Sequence, residues 1–277
     1  MQANAAIPLQ PRAQTEPARV RALVRFNGLT FHSVAAASFL ESAAAPQARR
    51  LCAVFGSDAD AKLWLEERWW PQRAELGREL RGYVEATWPE FDWGSAYQEF
   101  ADGYRPCSGL ESGCGTPALE ALALCVAAAQ AALFYRALGQ SADEQGLRAL
   151  ARRAAGEHAG HFDFARALFE RCQRAGRVGP VTAWRAVHAA CRSIRDFDVP
   201  AAFQPLPRNW NGAAIVPGLA YPEYCDRMAH LIHRHAGLGL IQRLLFRPWL
   251  RREPAAPMAA VPASRAEVRM RMMPQTA

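Results

Sequence analysis

The sequence predicts an all-α protein, a bundle of long antiparallel helices with an N-terminal helical extension. Three observations carry this reading. The stretch 117–175 holds two long helical segments whose stop and start signals fall almost back to back. Two later segments, 180–197 and 222–236, each open on a proline and keep an apolar face at helical spacing. The tract KLWLEERWWPQRAELGRELRGYVEAT adds a capped and striped helical region ahead of them.

In chain order, residues 1–20 contain prolines and no periodicity and read as a flexible lead. A helical subdomain is expected over 21–110, with a first helix near 29–44. Ser57 and Asp60 then cap a helix containing KLWLEERWW, which Pro71 should interrupt because proline cannot donate to the helical ladder. RAELGRELRGYVEAT resumes it, with Leu76, Leu80, Tyr83 and Val84 in one stripe. Trp64, Trp69, Trp70, Trp88 and Trp93 crowd this region and read as aromatic core, so 58–102 is expected to pack against the end of the bundle. PCSGLESGCG, 106–115, is a loop.

The bundle is expected over 116–252. Thr116 caps its first helix, Pro117 opens it and Gly139 should end it. Ser141 and Glu144 form a capping box for the second, which runs to Gly176. A third helix starts at Pro180 and should end before Pro200; a crossing segment, 198–221, leads to a fourth between Pro222 and Gly237. LGLIQRLLFRPWLRR, 238–252, reads as a short basic amphipathic helix that either docks on the bundle or lies on a membrane surface. Residues 253–277 read as a disordered tail.

Composition narrows the function classes. Half of the 277 residues are apolar, which excludes disorder throughout. The net charge of +7 comes from a chain whose only lysine is Lys62, so arginine-rich composition explains it better than nucleic-acid binding. No signal-peptide pattern and no uninterrupted apolar run of spanning length is seen, and a cytoplasmic protein is expected. Seven scattered cysteines without a C-x-x-C spacing argue against a disulfide framework and a zinc ribbon; Cys107 and Cys114 are the only close pair.

The polar residues of the hairpin are the candidate site. His158 and His161 fall in the middle of an apolar face that includes Leu147, Leu150, Ala154, Phe162 and Ala165, with Glu157 at its edge. Glu120 is the only carboxylate of the first helix. A turn centred near residue 140 would set facing positions to sum to about 280, bringing Glu120 opposite residue 160. Glu120, His158 and His161 would then offer two imidazoles and one carboxylate, a set suited to iron(II) or zinc. A first-turn carboxylate is also favoured by the helix dipole alone, and a buried histidine is commonly a hydrogen-bonded core residue. His188 lies on the apolar face of the third helix, and Glu223, Asp226, His230 and His233 share one stripe of the fourth, as further ligands or as a solvated face.

Two antiparallel helix pairs joined by a long connection, together with WLEERWWPQRAELGRELRGYVEATWPEFDW ahead of the hairpin, resemble the bacterial ferritin-like domain proteins. The resemblance covers about 60–240. It implies a ferritin-like four-helix bundle and, in each helix pair, a glutamate and a Glu-x-x-His holding two metal ions that react with oxygen. This chain departs from that pattern. Ala155 and His158 stand where the glutamates of Glu-x-x-His would precede His158 and His161. If Tyr135 is the tyrosine that follows the family's first glutamate, Ala128 fills the glutamate slot, and the third helix offers His188 in place of an acid. The resemblance thus implies either a metal-dependent oxidase or oxygenase, using iron or manganese on a small-molecule substrate through an altered ligand set, or a degenerate, metal-free structural or interaction protein. The sequence names neither a substrate nor an oligomeric state.

Overall fold

The computed structural model describes residues 24–104, 116–211 and 217–236, with side chains up to 232 in the last segment. The expected lead, the Cys107 and Cys114 loop, the amphipathic segment 238–252 and the tail lie outside the described residues, as does the side chain of His233. The described chain is all-α, with a single isolated β-bridge between Phe91 and Trp210 and no strand among the described residues.

Helix α1 (Gly28–Ser42) starts at Asn27, whose side chain accepts from the Thr30 N–H, and α2 (Ala44–Val54) follows after Ala43 alone. The helix expected near 29–44 is α1. Asp58, rather than Ser57, caps α3 (Ala59–Trp64), accepting from the Ala61 N–H. From α3 the chain passes through a π turn, Leu65–Trp69, straight into α4 (Trp70–Thr87). Pro71 therefore does not interrupt the helix. It sits in the first turn of α4, and the wider turn before it, where the Trp70 N–H reaches the Leu65 carbonyl, accommodates the residue that cannot donate. Asp92 caps α5 (Trp93–Gly103).

Helix α6 (Pro117–Ser141) begins at Thr116 as expected, but it does not stop at Gly139. The Ser141 hydroxyl bonds back to the Ala137 and Leu138 carbonyls, and Glu144 caps α7 (Gln145–Ala175) by accepting from the Gly146 and Leu147 N–H groups. The hairpin thus turns a few residues later than a Ser141 cap would place it. Gly139 lies against Ala151 and Arg152, and Tyr135 stacks on His158, so facing positions sum to about 290. Helix α8 (Pro180–Ser193) also overruns its expected end, because a second π turn, Ile194–Asp198, carries the chain into α9 (Val199–Phe203) with Pro200 in its first turn. The last helix among the described residues is α10 (Tyr221–Ala236).

Two apolar clusters form the core. One gathers Phe31, Val34 and Phe39 of α1, Leu76, Leu80 and Val84 of α4, Tyr135 and Leu138 of α6, and Leu147, Ala151 and Ala154 of α7. The other joins Leu51, Phe55, Leu65 and Trp69 to Leu119, Leu122, Val126, Phe162, Leu168 and Val187. Each such buried Leu or Phe contributes about 1.5–3 kcal/mol. Helices α1 and α4 run antiparallel, with Phe31 on Trp88 at one end and Ser42 on Gly77 at the other. A Cβ at Gly77 would lie 2.8 Å from Ser42 Oγ, so this crossing needs glycine. The 58–102 region is therefore not an end-cap: α1 and α4 share their core with α6 and α7, while α8 and α10 pack on the outside of α6. By length and composition α6 could cross a membrane, but 67% of its most apolar window is buried inside this bundle.

Candidate functional site

The polar centre of the molecule is built around Glu41, the one acid of α1, which is 3% exposed in the last turn of that helix. Its Oε2 accepts from Arg73 Nε at 2.6 Å. Its Oε1 accepts from the Tyr135 hydroxyl at 3.0 Å and lies 3.0 Å from His158 Nε2. Four helices, α1, α4, α6 and α7, thus each supply one member. Burial by itself would raise the Glu41 carboxyl, but the Arg73 charge and His158 outweigh it and hold the group well below the usual carboxylate range. An ionised carboxylate only accepts, so His158 Nε2 must carry the hydrogen.

Arg73 is anchored beyond this pair. Its remaining nitrogens donate to Gln47 Oε1 and the Leu40 carbonyl, and its guanidinium lies 4.9 Å over the Trp69 ring. Burial lowers its basicity and Glu41 more than restores it. The Tyr135 hydroxyl, buried beside that carboxylate, is pushed well above its ordinary value, so it stays a donor. His161 stands next to His158 with ring centroids 5.2 Å apart, and its Nε2 donates to Gln72 Oε1 at 2.8 Å. Burial, with His158 and Arg73 adding to it, brings His161 down to about 3. The ring is neutral, and its Nδ1 is a buried lone pair without a hydrogen-bond partner among the described residues. Glu157, at the edge of the face, pairs with Arg153 at 3.3 Å and is raised by partial burial against that pairing.

Of the expected ligand trio, the structure brings together His158 and His161 and leaves Glu120 elsewhere. With facing positions summing to about 290, Glu120 lies across from residue 170 or so, about ten residues and ~15 Å along the axis from the expected place. There, 4% exposed, it accepts from Arg50 Nη2 at 3.0 Å and lies 3.0 Å from Arg50 Nη1. His188 is half-buried beside Trp184 rather than on the apolar face of α8, which consists of Ala183, Ala186, Val187 and Ala190. Glu223 is exposed and ion-paired with Arg227, and Asp226 and His230 are exposed on the same helix. Among the described residues no three His, Cys, Asp or Glu side chains are grouped to hold a metal ion.

Sequence reasoning missed Glu41, Arg73 and Gln72. A signal for the first was present, since Glu41 is the only charge in GLTFHSVAAASFLES. No comparable signal marks Arg73 among the arginines. A further buried histidine, His32, is satisfied locally, with Nδ1 donating to the Gly28 carbonyl at 2.7 Å and the ring stacked on Phe203. A surface cavity of about 410 Å³ lies against Arg81, Glu85, Phe91 and Trp93, and none of the central polar residues lines it. Compared with protein-family models, curated proteins and solved structures, the chain gives no match.

Proposed function

We propose that the chain is a ferritin-like four-helix bundle that carries a self-neutralised polar network at its centre in place of a carboxylate-rich metal site, and that it acts as a structural or interaction module. The observation that supports this reading is the engagement of Glu41: one oxygen takes the Arg73 guanidinium, the other takes Tyr135 and His158. Two metal cations in such a bundle need several anionic oxygens to neutralise and bridge them. Here one carboxylate already shares its surroundings with a fixed cation, and the other buried carboxylate, Glu120, is held by Arg50. The residues present do not fit an iron or manganese pair.

One observation favours the second reading, a metal-dependent oxidase with an altered ligand set: the unpartnered lone pair of His161. A single imidazole is a weak site, and recruiting Glu41 to it would require Arg73 to leave. Elemental analysis of protein produced with iron, manganese and zinc supplied separates the two. The expected result is metal-free protein in all three cases. About one equivalent of metal that disappears in His161→Ala and persists in Glu120→Gln would overturn the structural reading.

A further inference from the structure

Among the described residues Arg25, Arg50, Arg73, Arg78, Arg81, Arg153, Arg166, Arg171, Arg195, Arg208 and Arg227 each meet a carboxylate of another residue. Residues 171–195 contain no acid at all. Within them Arg174, Arg177, Arg185 and Arg192 are exposed and make no ion pair among the described residues. The geometry of α8 organises this charge. Ala183, Ala186, Val187 and Ala190 face the core, and at 100° per residue Val181, Arg185, His188 and Arg192 fall in one stripe directly opposite. Val181 is 62% exposed, and the indole of Trp184 borders the stripe, 5.5 Å from the His188 ring.

We infer that this outward face of α8 is a docking surface for an anionic lipid bilayer. Arginines left unpaired on such a face complement a field of phosphates. The interleaved Val181 and Trp184 decide the class of partner, because an exposed aliphatic side chain and an indole gain by entering the headgroup layer while the arginines stay at its phosphates. A nucleic-acid backbone offers Val181 nothing. The inference does not depend on what fills the centre of the bundle, since Glu41 and its partners lie on other helices and α8 presents the same face with or without a metal.

The test is co-sedimentation of the full chain with vesicles of phosphatidylcholine alone and of phosphatidylcholine with one-third phosphatidylglycerol. Binding is expected to the anionic vesicles only, and to weaken as salt is raised. Each arginine near such a surface is worth about a factor of five, so Arg185→Gln/Arg192→Gln is expected to bind at least tenfold more weakly, with an unchanged thermal melt. Val181→Ser should weaken binding further without changing its salt dependence. Arg247→Gln/Arg251→Gln, in the basic segment near the C-terminus, serves as the comparison. No binding by the native chain, or a loss confined to that second pair, overturns the inference. So does retention of a duplex DNA oligomer, released by the α8 substitutions, in place of vesicles.

Discussion

Two buried carboxylates, Glu41 and Glu120, sit in the same bundle with nearly equal exposure, 3% and 4%, and each is answered by one arginine. The surroundings differ. Arg73 is itself enclosed, held by Gln47, the Leu40 carbonyl and the Trp69 ring, and Glu41 has two more donors from other helices. Arg50 is one-third exposed, and its charge is shared with water. The same ion pair thus locks four helices together in one region and closes the end of a helix in the other. What distinguishes them is the desolvation of the cation, because removing a partner costs most where water cannot replace it.

The largest expected effect follows from that. Arg73→Met leaves Glu41 buried without its cation and should cost about 3–5 kcal/mol in urea unfolding, with part of the loss restored by adding Glu41→Leu. Next comes acid sensitivity. His161 lies at about 3 in the folded chain against 6.5 when exposed, so below 6.5 the unfolded chain takes up a proton that the folded chain refuses. Its contribution is complete above 6.5 and is lost as pH falls. Glu41, held below its ordinary 4.5, adds a second loss only below that value. Stability should therefore fall by about 1 kcal/mol per pH unit or more between 6.5 and 4.5. His161→Gln should reduce that slope, with His32, which burial also lowers, contributing to what remains. A slope unchanged by the substitution would remove His161 from the account.

Smaller effects belong to the other region. Arg50→Met is expected to cost about 1–2 kcal/mol, less than Arg73→Met, because water can reach the vacated side of Glu120. Equal losses at Arg50 and Arg73 would break the contrast between the two pairs. Smallest of all, Arg227→Ala at the exposed Glu223 pair should change stability by less than about 0.5 kcal/mol, as expected for a solvated face.

Much of the fold was legible. The Thr116 cap, the length of the second hairpin helix and the burial of His158 and His161 all follow from spacing and capping chemistry. The site was not, and the reason is register. A cap displaced from Ser141 to Glu144, with α6 running on through Gly139, moves the turn later and raises the sum of facing positions, and the packed helices place Tyr135 rather than Glu120 beside His158. Glu41 and Arg73 come from helices that a pattern of local signals could not bring to the hairpin, since their meeting depends on the α1–α4 crossing at Gly77. The π turns left no mark that periodicity could read.

One of those π turns has a further consequence. The continuous rod from Ala59 to Thr87 belongs to two cores, with Ala61, Leu65 and Trp69 in one and Leu76, Leu80 and Val84 in the other. Leu65–Trp69 lies at the junction, where the wider turn adds a residue without adding a turn. It works as a phase adjuster on a shared axle. Deleting one residue there would close it to an ordinary α turn and keep the two halves in phase, whereas deleting one residue from the regular helix just after it would rotate one core against the other by roughly 100°. Gln72 and Arg73, three and four residues past the turn, would then face away from His161 and Glu41.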